Sequence, residues 1–310
     1  MRALVTGATG FAGKYLVSAL QSAGYDVFAC AGPNDAPSAY LPFDLENFVT
    51  MQSALEASRP DVVFHLAAQT FVPQSLAAPE ETYRSNAMGT ALLARAVREY
   101  GGGDVKPRIV FASSAEVYGV RAPGDFPLSE TCDPRPANPY AASKAAAEAL
   151  LLGQARSLGL NVVIARAFNH IGPGQSDRFV VPAFAGQLAA IARGGEPVLL
   201  VGNLEAARDF LDVRDVVAAY LALARDGESG SVYNVCSEHA VKIRDVLREL
   251  MLIAGVPVEV REDPARMRPS DVPLFVGSAA KLRARTGWAP KIPLRTSLRE
   301  IYEAAYAAAS

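Results

Sequence analysis

Along the first half of the chain, short apolar runs alternate with longer segments in which apolar positions recur at helical spacing. The runs read ALVT (3–6), DVF (26–28), DVVFHLA (61–67), RIVFAS (108–113) and NVVIARA (161–167). They are apolar almost throughout rather than at every second position, as strands covered on both faces are. Helix-length stretches between them predict consecutive parallel strands, and so an α/β, doubly wound parallel sheet. After Phe168 the rhythm breaks: Gly and Pro crowd into NHIGPGQ, a helical stretch runs from about 181 to 193, and Pro257, Pro264, Pro269 and Pro273 interrupt the remaining short elements. This predicts a smaller mixed lobe over the open edge of the sheet. The segment 209–235, DFLDVRDVVAAYLALA followed by SVYNV, reads as a helix and strand returning to the first unit. The expected division is therefore 1–168 as a dinucleotide-binding domain, joined by 209–235, with 169–310 mainly a substrate-binding lobe. No repeat or low-complexity linker separates them, and Gly101 to Gly103 marks an exposed loop.

Composition narrows the class. The 310 residues are half hydrophobic, with 24 Gly and 21 Pro, enough to bury a large core. A net charge of −2 with scattered Lys and Arg offers no basic stripe, so neither nucleic acid nor a membrane surface is an expected partner. MRALVTGATG enters a strand at once, and no apolar run reaches spanning length, so a cytoplasmic location is expected. Cys30, Cys132 and Cys236 lack paired spacing and read as reduced thiols. His65, His170 and His239 lack ligand spacing and read as packing or hydrogen-bonding groups, so no metal is expected.

The first chemical signal is GATGFAG after the first strand. Gly7, Gly10 and Gly13 fall where a helix would begin near Phe11, allowing a tight turn and close approach of a pyrophosphate to unpaired N–H groups. This is the Rossmann-type arrangement and implies a dinucleotide. Asp44 and Leu45 come after the next loop, where they could reach an adenine or serve as a surface turn. The second strand runs into CAGPN and carries no acid to bind a ribose 2′-hydroxyl, so NADP(H) is favoured and NAD(H) possible.

The second signal is NPYAASKAAAEALL (138–151), an Ala-rich helical segment. Tyr140 and Lys144 stand four apart and share a face. Lowering a phenol by ~3 pKa units takes about 4 kcal/mol. An ammonium at ~4 Å supplies roughly that at an effective dielectric near ~20. The spacing thus predicts Tyr140 as general acid and base tuned by Lys144, with Ser114 at the end of the fourth strand holding a reacting oxygen.

GATGFAG, HLAAQ, SNAMGT, SSAEVYG, NPYAASK and RAFNHIGPGQ, in this order, resemble the extended short-chain dehydrogenase/reductases that act on nucleotide sugars. The resemblance covers nearly the whole chain. It implies Ser114, Tyr140 and Lys144 as the catalytic set, Asn86 as a supporting residue at the substrate site, and a cofactor held by Gly7, Gly10 and Gly13. VGNLEAARDFLDVRD (201–215) and RPSDVPLFVGS (268–278) look like the ligand-holding segments of the GDP-mannose branch. By that resemblance Asn169 and Asn203 contact the sugar nucleotide, Arg208 and Arg268 its phosphates, and Asp271 a ribose hydroxyl; guanidinium forks suit a diphosphate and a carboxylate suits a diol. A homodimer is implied through helices near 78–99 and 140–153, whose small residues Ala141, Ala145 and Ala149 permit close contact.

Two reactions of that branch compete, and Glu116 bears on the choice. A 4,6-dehydratase uses a Glu at this place as the C5 base. A 4-reductase only reduces the C4 ketone of GDP-4-dehydro-6-deoxy-D-mannose, giving GDP-D-rhamnose. Dehydratases commonly place a polar residue before that Glu and read AAQSHV; here Ala115 and AAQTFV, with Phe71, remove both polar groups. The resemblance therefore favours the reductase, with Glu116 a noncatalytic neighbour that hydrogen-bonds substrate. The dehydratase and a noncatalytic NADP-sensing protein are the alternatives.

Overall fold

The structure is a computed structural model and describes residues 1–32, 37–101, 106–267 and 272–308. In chain order its strands are β1 Arg2–Thr6, β2 Asp26–Ala31, β3 Leu41–Pro42, β4 Val62–His65, β5 Arg108–Ser114, β6 Val162–Ala167, β7 Asn169–Ile171, β8 Val198–Val201, β9 Ala207–Asp212, β10 Ser231–Val235, β11 Ala240–Lys242, β12 Glu259–Glu262 and β13 Leu274–Phe275. The helices are α1 Phe11–Ser22, α2 Phe48–Ser58, α3 Val72–Ala77, α4 Pro79–Tyr83, α5 Gly89–Glu99, α6 Pro139–Leu158, α7 Val180–Ala192, α8 Val213–Asp226, α9 Ile243–Ala254, α10 Ala280–Thr286 and α11 Leu294–Ala308. A five-residue π-helical turn, Arg84–Met88, joins α4 to α5. Of the loop Gly101 to Gly103, only Gly101 lies within the described residues.

Seven strands form one parallel sheet in the order β10-β6-β5-β4-β1-β2-β3. The five apolar runs of the sequence supply its centre. Alternate residues feed two separate cores: Ala3, Val5, Phe64, Val110 and Val163 pack with Leu16 and Leu20 of α1 and Val216 and Tyr220 of α8. Leu4, Val63, Ile109, Phe111 and Ile164 pack with Leu55 of α2, Leu93 of α5 and Leu151 of α6. Both faces are thus covered, which is why the runs are continuously apolar.

The chain works outward from β1 on one side and from β4 on the other. Between them lies the point where strand order reverses, and a crevice opens there at the carboxyl ends of the strands. The return predicted for 209–235 begins at Val213. From there α8 packs on the large sheet and β10 pairs with β6. Residues 209–212 belong instead to β9, whose hydrogen bonds go to β7, β11 and β13 in a second small sheet. A third core, centred on α7, α9, α11 and β8, fills the later half of the chain.

Helix α6 is fastened to the large sheet by charge as well as by packing. Its Glu148 and Arg166 of β6 are both almost fully buried. They meet in two parallel bonds, Arg166 Nε to Oε1 at 3.0 Å and Nη2 to Oε2 at 2.6 Å, while Ser113 Oγ donates to Oε1 at 2.5 Å. The guanidinium lies 4.7 Å from the Tyr118 ring centroid. Removing one partner strands the other charge in a low-dielectric interior. Arg166→Met is therefore expected to cost about 3–5 kcal/mol in chemical denaturation, and the pair Glu148→Met with Arg166→Met markedly less than either alone.

Candidate active site

The glycine loop closes the crevice by contact of backbone with backbone. Gly7 has φ +70°, and a Cβ there would lie 2.7 Å from the Ala67 nitrogen in the loop after β4. A Cβ on Gly13 would lie 2.1 Å from the Gly7 carbonyl oxygen, so Gly13 is what lets α1 sit against the loop. Gly10 is the N-cap of α1, and no side chain caps the helix there. Its first amides are open to an anion. Beside the loop is a cleft of about 220 Å³ lined by Gly7, Ala31, Gly32, Asp44, Leu45 and Ser85 among others. The structure thus brings Asp44 and Leu45 to the same cleft as Gly7. β2 ends at Ala31 and is followed by Gly32, so neither position carries a carboxylate, and among the described residues nothing lies within 4 Å of a Cβ built on Gly32. A cradle of this shape, with open amides at one end, fits a dinucleotide.

Ser114, Glu116 and Tyr140 converge at the end of β5 and the start of α6. Ser114 is the last residue of β5, and its Oγ accepts from the Glu116 amide at 3.2 Å. Asn138 caps α6, accepting from the Ala141 amide at 2.8 Å, and so sets the first turn that carries Tyr140. Burial pushes the Tyr140 phenol up to about 12; contact with the Ser114 hydroxyl opposes this, and the Glu116 charge adds to it. The direction is opposite to the lowering expected from Lys144. The reason is burial, which is the largest influence on the phenol; Lys144 Nζ donates to the Ala112 carbonyl at 2.7 Å and sits 4.7 Å from the Phe111 ring centroid. Burial pulls the ammonium down to about 8, while Glu148 one turn further along α6 raises it.

Asn86 lies in the π-helical turn and is 2% exposed. Its Oδ1 accepts from the Gln69 amide at 2.8 Å, and its Nδ2 donates to the Gln69 carbonyl at 2.8 Å and to Ser143 Oγ at 2.9 Å. The side chain is engaged by Gln69 and Ser143 in this structure. The Asn86 carbonyl accepts from Thr90 Oγ1 at 2.6 Å, and Thr90 meets His65 Nε2 at 3.1 Å. His65 Nδ1 meets Thr6 Oγ1 at 2.8 Å, so a buried polar chain runs from β1 to α6. His65 is a hydrogen-bonding group, as expected, and burial pulls its pKa down to about 3.

The other candidates lie in the second lobe. Asn169 is exposed on β7, beside β9, which carries Arg208. Arg208 Nη1 donates to the carbonyls of Ala207 and Val272. Asn203 Oδ1 accepts from the Glu205 amide at 2.9 Å in the turn before β9. Arg268 and Asp271 lie outside the described residues. Phe71 packs edge-on to Phe179, with Arg178 5.3 Å from its ring centroid, and Ala115 is 2% exposed. Neither position offers a second proton donor.

The family model for GDP-mannose 4,6 dehydratase matches residues 4–301. The chain belongs to that family. Within it, a GDP-6-deoxy-D-mannose reductase of Pseudomonas aeruginosa is 42% identical over 305 residues, covering 97% of this chain and 95% of the relative. The solved structure of RMD from Pseudomonas aeruginosa complexed with NADPH superposes with a TM-score of 0.89 at 38% identity, covering 99% of this chain and 100% of that one. A Thermus thermophilus UDP-glucose 4-epimerase in complex with NAD gives 0.85 at 32% identity, covering 98% and 99%.

Sequence reasoning missed Asn138, Gln69 and Ser143, which shape the site without facing solvent as reagents. The signal for Asn138 was available: an Asn directly before a Pro at the first position of a helix is a capping pattern. For Gly13→Ala, the added methyl has no room between α1 and the Gly7 carbonyl. NADPH affinity, read by fluorescence titration, is expected to fall at least ~10-fold, a change of about 1.4 kcal/mol or more.

Proposed function

We propose that the chain is an NAD(P)H-dependent nucleotide-sugar 4-reductase, with NADPH favoured, that reduces the C4 ketone of GDP-4-dehydro-6-deoxy-D-mannose to GDP-D-rhamnose. The observation that carries this reading is the buried Tyr140 phenol against the Ser114 hydroxyl, with apolar Ala115 and Phe71 at the two positions where the resemblance puts the polar groups of a dehydratase. The full-length similarity to a GDP-6-deoxy-D-mannose reductase supports the same substrate.

NADPH, when bound, would supply a hydride for C4. Tyr140 gives its proton to the carbonyl oxygen as negative charge develops there, and Ser114 donates a hydrogen bond to that oxygen. Lys144, one helical turn from Tyr140, holds positive charge beneath the site and would hold the ribose next to the nicotinamide. Gly7 and the open first turn of α1 would take the pyrophosphate, with Asp44 and Leu45 at the adenosine end. Asn169 and Asn203 would contact the sugar nucleotide, and Arg208, Arg268 and Asp271 its phosphates and ribose.

A dehydratase reading rests on the exposed Glu116 carboxylate two residues after Ser114 and on the description of the matching family model. It requires turnover of GDP-mannose itself. We further propose a cytoplasmic homodimer. Among the described residues, Leu76, Tyr83, Met88 and Leu150 are exposed apolar side chains on the neighbouring segments α3, α4, the π-helical turn and α6. Apolar surface of this kind favours a partner.

The decisive assay monitors nicotinamide absorbance with freshly prepared GDP-4-dehydro-6-deoxy-D-mannose. The wild-type protein is expected to oxidise NADPH, and Tyr140→Phe to lose about 10²–10⁴-fold in rate. Its NADPH affinity should stay near the wild-type value. Near-normal turnover of that variant, or turnover of GDP-mannose alone, would overturn the assignment.

A further inference from the structure

Glu116 places a carboxylate at the mouth of the site, in a chain whose neighbouring residues do not equip it for elimination. Its surroundings are specific. The backbone amide is bonded to Ser114 Oγ at 3.2 Å. The side chain accepts from Asn138 Nδ2, with 3.2 Å between that nitrogen and Oε2. The other end of the Asn138 amide, Oδ1, accepts from the Ala141 amide at 2.8 Å and closes the first turn of α6, within which Tyr140 lies. One planar amide therefore joins the helix that carries the phenol to the carboxylate beside it. An amide is suited to this double role because it accepts with one end and donates with the other.

We propose that Asn138 is a positioning residue that pins the Glu116 carboxylate beside Tyr140, so that Glu116 acts on the phenol as a fixed negative charge and not as a base toward substrate. This deepens the reductase reading and rests on it for its catalytic meaning. A reductase needs Tyr140 as a proton donor, and a nearby anion disfavours ionisation of a phenol. Burial, the largest influence, raises the phenol, and the Glu116 charge adds in the same direction. The other titratable groups near it are Tyr220 of α8, whose own phenol Tyr140 influences, and Lys144 on the same helix, which is bonded to Ala112. Neither is placed by Asn138.

The test separates the cap from the link to Glu116. Serine is as good an N-cap as asparagine but has no amide to hold the carboxylate. Asn138→Ser should therefore keep the wild-type melting temperature while releasing Glu116. In 3-fluorotyrosine-labelled protein without substrate, 19F NMR reads each phenol, and Tyr140→Phe assigns the resonance. Glu116→Gln is expected to lower the Tyr140 midpoint by about half a pH unit or more, the effect of one nearby charge discounted for solvent. Asn138→Ser should give part of that shift, and should add nothing in the Glu116→Gln background. In the NADPH assay the high-pH limb of kcat/KM should move down in the same order.

No shift in Glu116→Gln, or an Asn138→Ser shift that persists undiminished in the Glu116→Gln background, would overturn the proposal. Should Asn138→Ser melt early, Glu116→Gln still decides, because its cap is intact. If the wild-type protein fails to oxidise NADPH with the keto sugar, the reductase reading falls, while the phenol titration still answers for Asn138 and Glu116.

Discussion

The structure depends on one constraint, that a parallel sheet must be covered by helices on both faces. The apolar strands at the centre of the sheet have no polar face to show water, so helices cover both faces, α1 and α8 on one side and α2, α5 and α6 on the other. Winding outward in both directions from β1 and β4 leaves their ends without a crossing connection. The crevice at that point is a consequence of topology. Gly7 and Gly13 then remove the side chains that would fill it.

Helix α6 turns that scaffold into chemistry. Along one helix, Asn138 sets the first turn, Tyr140 presents its phenol to Ser114, Lys144 reaches into the sheet, and Glu148 is locked to Arg166. A helix fixed at its start by a cap and further along by a buried bidentate ion pair has little freedom to slide or rotate. Ser114 and Tyr140 lie on separate elements, and their relative position is thereby determined. The polar chain Thr6–His65–Thr90–Asn86–Ser143 ties the same helix to β1 from below, so the cofactor loop and the phenol share one support.

Electrostatics at this site differ from what spacing alone implies. Four residues of separation place Tyr140 and Lys144 on one helical face, but the side chains diverge. Lys144 finds the Ala112 carbonyl and the Phe111 ring, and the phenol stays in a desolvated pocket with an anion beside it. Burial is the largest influence on the phenol, and it raises the pKa.

Much of the fold was legible in the sequence, because strand burial writes itself as continuous apolar runs and helices as glycine-led and Ala-rich patterns. The five strands and the helices at Phe11, 138 and 181 fall where those patterns put them. The glycine loop was legible for the same reason, and local spacing puts Ser114 on β5 and Tyr140 and Lys144 on α6 without saying what each side chain meets. Only the tertiary structure decided where side chains point once distant segments meet. Asn86 turns inward because Gln69 and Ser143 offer partners 17 and 57 residues away. Strand β9 stays with the second sheet because β7, β11 and β13 supply its hydrogen bonds. The Tyr140 phenol rises because burial is a sum over the whole neighbourhood, which no local pattern contains.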